Sequence, residues 1–361
     1  MVRDQTNWLY DLKPKIISFL RMMKCEDGFY KYSLSGDLYD QTHYWGLGNT
    51  VFAIRLLKMF DSLDQIDLIH TKKFVFSFQK KDGHIYDDFL HKKALFYNFL
   101  SCMKNLDIKN INRKNEKLAE SRQAFSLLFS INSPPPLPFL NFPKNTDSID
   151  LYLSSFNWKK PWHAGSHFSH LVFFLFYMKK YYPDHFEYNS TKLISYAIDW
   201  IDKLQMDDGS WYNGKTTLRE KINGAMKIVT GFNVINQKIE APQRLIDLAL
   251  VATNDRHACD NFNVTYVLYN CAKQLNFKYR QDEILNFFFD RLSLYKEHYH
   301  EKIGGFSFFP NKTNIYYYKA KVTRGLNEPD IHGTLMFTWG ISLIAEVLKI
   351  DKEIGITSFN P

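Results

Sequence analysis

Four times along the chain a glycine turn is followed within a few residues by aromatic side chains. The copies are Asp27-Gly28-Phe29-Tyr30, Asp82-Gly83-His84-Ile85-Tyr86, Asp208-Gly209-Ser210-Trp211-Tyr212 and Gly304-Gly305-Phe306-Ser307-Phe308-Phe309. Asp-Gly tolerates the positive φ of a tight turn, and the aromatics can pack the turn onto helix ends. Three of these turns are followed by a helix that opens on Gly and a small or polar residue: Gly48-Asn49-Thr50, Gly224-Ala225 and Gly333-Thr334. Gly165-Ser166 opens a fourth such helix. From turn to helix the gap is 20 residues (28 to 48), 15 (209 to 224) and 28 (305 to 333). A unit of outer helix, glycine turn and inner helix can stack into a solenoid or close into a ring. Apolar residues recur at three and four over 51–60 and 193–204. Further helices are predicted near 8–24, 63–80, 91–105, 115–130, 166–182, 223–236, 242–253, 262–275, 281–296 and 333–350. Alternating strand patterns are scarce, so the expected fold class is all-α.

Composition narrows the class. Aromatic residues make up 17% of the 361 residues, with 31 Phe, 22 Tyr and 7 Trp, which excludes disorder over most of the chain. Net charge is +8, but the lysines come in scattered pairs such as Lys72-Lys73 and Lys179-Lys180. That pattern reads as a solvated surface, and no nucleic-acid partner is expected. The four cysteines Cys25, Cys102, Cys259 and Cys271 show no CxxC spacing and read as free thiols. The first seven residues hold no apolar stretch, and the run Leu171–Met178 is far short of the roughly 20 residues a bilayer needs. A cytoplasmic protein without a transmembrane segment is therefore expected. Prolines at 134, 135, 136, 138 and 143 exclude a helix there and read as a stiff connector over 131–150, inside a single domain spanning 1–361.

Two turns carry more than a glycine. Gln205-Met206-Asp207-Asp208-Gly209-Ser210-Trp211 matches the Gln-x3-Gly-x-Trp core of the QW repeat, and Gln79-Lys80-Lys81-Asp82-Gly83-His84-Ile85 is a degenerate copy. The chain thus resembles the prenyltransferase and squalene-cyclase repeat superfamily. That resemblance implies an α/α toroid of inner and outer helices around an aromatic cavity, acting on an isoprenoid or isoprenoid-linked substrate. The Gln and Trp have a structural role: the amide bonds exposed backbone at a helix end and the indole stacks nearby. The acid motifs of the superfamily are missing. There is no Asp-x-Asp-Asp, and the nearest string to Asp-Asp-x-x-Asp, Asp87-Asp88-Phe89-Leu90-His91, ends in His. Similarity to prenyltransferase β subunits raises zinc as a cofactor, held by Asp255 or His257 with Cys259 and His332, and leaves open whether a partner subunit is needed. Whether any metal binds stays open.

The densest polar cluster is Trp162-His163-Ala164-Gly165-Ser166-His167-Phe168-Ser169-His170. On a helix its three histidines approach one face, which suits acid–base work near neutral pH. The same logic selects other inner-helix starts: His43, Trp45 and Asn49; Asn223 and Lys227; Asp260 and Asn263; Asp330 and His332. The catalytic candidates are His163, His167, Asp260, Asp330 and His332. The substrate-binding candidates are His43, Trp45, Asn49, Trp162, His170, Asn223, Lys227 and Asn263. For each, a buried and satisfied polar group is the competing reading. Aromatic walls also stack on sugars, so the rival to an isoprenoid enzyme is a glycan-active hydrolase, lyase or epimerase of bacterial surface polysaccharide biosynthesis. A non-catalytic toroid scaffold is the third reading.

Overall fold

A computed structural model describes residues 6–105 and 110–359. The protein is mostly helical, with fourteen α-helices and a few two-residue strands among the described residues. The chain divides into two compact units. The first takes the described residues up to Pro136, with Arg256–Cys259 and Leu292–Phe359; the second takes Leu137–Asp255 and Asp260–Arg291. The first division falls inside the proline-rich stretch.

In the first unit, helices run over Leu12–Met23 (α1), Leu47–Met59 (α2), Leu68–Phe76 (α3), Asp88–Lys93 (α4), Leu95–Asn105 (α5) and Lys114–Ser130 (α6). The helix expected over 91–105 is therefore two helices. The break is at Ala94, which ends α4. The helices following in chain order are Thr146–Ser154 (α7), Pro161–Tyr181 (α8), Ser190–Asp202 (α9), Leu218–Val234 (α10), Pro242–Leu250 (α11), Ala258–Gln274 (α12) and Gln281–Glu297 (α13). Helix α7 enters the stretch expected to be irregular. Its start is a reciprocal cap, in which the Asn145 side chain accepts from Ser148 N and the Ser148 hydroxyl meets the Asn145 backbone. Two antiparallel pairs, Tyr299–His300 (β1) with Gly305–Phe306 (β2) and Tyr316–Tyr317 (β3) with Ala320–Lys321 (β4), precede Ile331–Leu348 (α14) in the first unit. Helix α14 is long and apolar enough to cross a bilayer, yet most of it is buried, against α2 and β2.

The glycine turns share one geometry. In each of three, a residue bridges to the one six positions on: Lys24 to Tyr30, Gln79 to Ile85 and Gln205 to Trp211. The glycine at the fifth position has φ of +75°, +86° and +81°, a region that disfavours any side chain. Gln205 Nε2 donates to Gly209 O at 3.1 Å, closing the turn from inside. Trp211 is buried edge-on against Phe232. The degenerate copy folds in the same register, with Ile85 buried where the indole would be.

In the second unit α8 and α10 are tightly packed along a seam of small residues. A Cβ on Gly165 would sit 3.1 Å from Gly224 O, and one on Gly224 only 2.5 Å from Pro161 Cβ. Substituting Gly224 by Ala would normally gain about 1 kcal/mol of helix propensity. Here the clash prevails. Gly224→Ala is expected to destabilise the protein by about 1–3 kcal/mol, read as a lower urea midpoint at unchanged slope.

Candidate active site

The apolar stripe of α6 (Ala124, Leu127, Leu128) continues back one turn onto Glu120 and Ser121. Both are buried. Ser121 Oγ accepts from Ile85 N and donates to Ile85 O, each at 3.1 Å, which docks the second glycine turn on α6. The chain after that turn then delivers Asp87 and His91 to Glu120.

Asp87 caps α4. Its Oδ1 accepts from Leu90 N at 3.0 Å and its Oδ2 from Gly46 N at 2.8 Å, so it joins the starts of α4 and α2. Its own N–H donates to Glu120 Oε2 at 3.1 Å. His91 Nε2 lies 3.0 Å from the same oxygen. On the far side of the ring, Arg113 Nε donates to His91 Nδ1 at 2.8 Å. A guanidinium only donates, so Nδ1 is the acceptor and the ring proton sits on Nε2, directed at Glu120. The imidazole is neutral: burial and the Arg113 charge push its pKa down to about 3. Arg113 holds φ +57° just before α6, an uncommon conformation for a side-chain-bearing residue. Its Nη2 donates to Tyr318 O.

All four side chains are buried, and they are not all satisfied. Glu120 Oε1 and Arg113 Nη1 have no hydrogen-bond partner among the described residues. Burial pushes the Glu120 carboxyl well above the usual range, and burial together with the Glu120 charge does the same to Asp87. Both Asp87 oxygens accept backbone N–H, which favours its ionised form. Glu120 has one oxygen so served. The proton of the pair therefore belongs on Glu120, at Oε1.

Aromatic side chains connect this cluster to His332. Tyr318 stacks towards His91, with ring centroids 6.4 Å apart, and its hydroxyl accepts from Gln123 Nε2 at 2.9 Å. Burial first, and then the Glu120 charge, push the Tyr318 phenol up. Tyr317 meets Tyr318, Tyr32, Phe52 and His332 through ring centroids 4.6 to 5.9 Å apart. His332 Nδ1 is 3.2 Å from the Tyr32 hydroxyl, and Nε2 is 3.7 Å from Cys259 Sγ. Asp330 is fully buried as the cap of α14. It accepts from Gly333 N, Phe308 N and Asn314 N at 2.8 to 3.0 Å. Burial pushes it up to about 7 against those donors.

The remaining candidates of the first unit are engaged with other partners. His43 is exposed and 2.9 Å from Asp40. Trp45 is buried, its Nε1 donating to Asp40 O, and the buried Asn49 donates to Tyr30 O. The zinc reading finds two ligands and lacks a third. Cys259 and His332 are close enough to share one ion, but His257 stacks on Phe308 instead. Among the described residues no group of three His, Cys, Asp or Glu could hold a metal.

The second unit brings its own candidates together in two groups. Tyr152 OH lies 2.9 Å from His167 Nδ1, and the Phe156 ring stacks 3.9 Å from the same imidazole. Burial, then the neighbouring His163, push His167 well below its usual range. His170 is buried and 5.7 Å from His167 between ring centroids, whereas His163 is exposed. In the other group the buried Asp260 accepts from Arg219 Nε at 2.8 Å and Asn223 Nδ2 at 3.0 Å. Asn263 and Asn254 donate to Asn223 Oδ1. The Arg219 guanidinium lies 5.2 Å over the Trp162 ring. Lys227 is half-buried on α10.

Comparison with family models and with curated proteins finds no match to this chain.

The folded state holds the proton on Glu120 more tightly than the unfolded chain, where carboxyls ionise near pH 4. Stability from this carboxyl is fully present below about pH 4 and falls as pH rises through neutrality. Neutral His91 acts in the opposite sense, and only between its folded value and its ordinary one. Glu120→Gln mimics the protonated acid. It is expected to match the wild type at about pH 3.5 and to exceed it by about 1 kcal/mol or more at about pH 8, measured by urea denaturation at both.

Proposed function

We propose that this is a terpenoid-cyclase- or prenyltransferase-like enzyme. Its helices form an α/α toroid, and it acts on an isoprenoid or isoprenoid-linked substrate in the cytoplasm. The observation that carries this reading is Glu120, a buried carboxyl held by neutral His91, with one oxygen unserved and tyrosines beside it. The superfamily's protonating Asp-x-Asp-Asp is missing from the sequence, and Glu120 supplies the same chemistry. In the reaction, the Glu120 O–H bond breaks and a C–H bond forms at an alkene carbon of the prenyl chain. The adjacent carbon becomes cationic and rests against the faces of Tyr317 and Tyr318. Loss of a proton from the product balances the step, with no net oxidation or reduction. Asp87 stays ionised and His91 neutral, and together they orient the acid.

A second reading has its own support. Trp162 under the Arg219 guanidinium, beside exposed His163, makes an aromatic and cationic platform of the kind that stacks on acidic sugars. It would make the protein a glycan-active enzyme of bacterial surface polysaccharide biosynthesis.

Native mass spectrometry with prenyl alcohols, prenyl diphosphates and acidic oligosaccharides separates the two. Retention of a prenyl species alone is the expected result; retention of oligosaccharide alone moves the function to the Trp162 platform. With the retained prenyl substrate, Glu120→Gln should keep binding and lose about 10²- to 10⁴-fold in turnover. Wild-type turnover in that variant would remove Glu120 from the chemistry.

A further inference from the structure

Helix α5 is built inside out. Its sequence, Leu95-Phe96-Tyr97-Asn98-Phe99-Leu100-Ser101-Cys102-Met103-Lys104-Asn105, is amphipathic, yet the face turned inwards is the small and polar one. Asn98 and Cys102 are buried, at 0 and 2% exposure, and Ser101 is half-buried between the two faces. Leu95, Phe96, Tyr97, Phe99, Leu100 and Met103 are 47 to 67% exposed. Six half-exposed side chains of this size leave on the order of 500 Å² of apolar surface in water, the upper end for a soluble monomer.

The orientation is fixed by hydrogen bonds rather than by chance rotation. Asn98 Nδ2 donates to Asn110 O and Ile111 O, each at 3.0 Å, and Asn98 Oδ1 accepts from Lys319 Nζ at 2.9 Å. Turning the apolar face inwards would break all three and leave the Asn110 and Ile111 carbonyls without this donor. The patch continues onto the β3–β4 hairpin, where exposed Tyr316 meets Tyr97 with ring centroids 5.9 Å apart.

Charge identifies the occupant. From His91 to Asn105 there are three lysines, Lys92, Lys93 and Lys104, and no acidic residue. All three are exposed, as is Lys321, which pairs with Tyr316 on the hairpin; Lys93 Nζ is turned over the Tyr39 and Phe89 rings, leaving Lys92, Lys104 and Lys321 for the stripe. An apolar stripe edged by lysines matches the boundary of a bilayer, with acyl chains under the rings and anionic headgroups against the ammonium groups. A protein groove would supply apolar cover but gives no reason for a one-signed rim. At eleven residues the helix is too short to span. We propose that α5, with Tyr316, lies in the surface of an anionic lipid bilayer and holds the protein there. This rests on the exposed face alone and stands whether or not the protein acts on isoprenoids.

The test is flotation of the full chain with vesicles of phosphatidylcholine alone, or with ~30% phosphatidylglycerol. Wild type should float with the anionic vesicles, less with the neutral ones, and less at about 0.5 M salt. The variant Phe96→Ser/Phe99→Ser/Leu100→Ser, which leaves Asn98 in place, should float at least tenfold less while keeping its helical circular dichroism. Hydrogen exchange on the wild type reports the same contact without a variant, with amides of 95–104 slowed by anionic vesicles. No flotation, equal flotation of the variant, or unchanged exchange would overturn the proposal. So would a wild-type dimer in sedimentation that the variant abolishes, because a second copy would then be the cover.

Discussion

A carboxylate taken out of water has to be answered by donors, and at Asp330 the answer comes from three stretches of backbone at once. Phe308, Asn314 and Gly333 all point their N–H groups at it. The fourth glycine turn, the approach to the β3–β4 hairpin and the first turn of α14 are thereby held at one point. His332 is carried to Tyr32 and Cys259 as a result. Asp87 does the same for the starts of α2 and α4. In both residues each oxygen is served. Glu120 is buried to the same degree and has one oxygen served, which separates a group that builds the fold from one with capacity left for chemistry.

Much of the architecture is legible in the sequence because it rests on local rules. Gly28, Gly83 and Gly209 mark positions where the backbone enters the left-handed region, and each turn closes in the same register. Gln205 closes its turn through Gly209 O, and Trp211 is buried against Phe232. The helices over 51–60, 193–204 and 281–296 lie where their apolar spacing puts them. Boundaries are less legible. Pro161 and Ala258 begin their helices four or five residues ahead of the periodic signal, because a helix start is set by its cap and first-turn residue. Ala94 divides α4 from α5 although the residues on both sides favour helix.

The site is less legible than the fold. Asp87 and His91 stand out in the sequence only as the ends of a degenerate Asp-Asp-x-x-Asp string, whereas their hydrogen bonding depends on Glu120 and Arg113, which follow more than twenty residues later. A signal for Glu120 existed: a charged residue extending the apolar stripe of α6. Reading it requires knowing which face of α6 is covered. Asp260, Asp330 and His167 stand out as titratable groups at helix starts, and the structure finds each inside a hydrogen-bonded network. Sequence position reveals a group that can titrate; only packing reveals which of its atoms are already engaged.

The fixed tautomer of His91 has a consequence for proton traffic. A histidine relays protons when one nitrogen can receive as the other releases. In His91 the receiving nitrogen is occupied by a guanidinium that does not give its proton up. The ring is therefore a stop and not a conduit. In the proposed reaction, once Glu120 has released its proton the replacement would have to arrive at Oε1 rather than through the ring. Reloading of the acid would then be tied to the side of Oε1 becoming open to water or to a departing product.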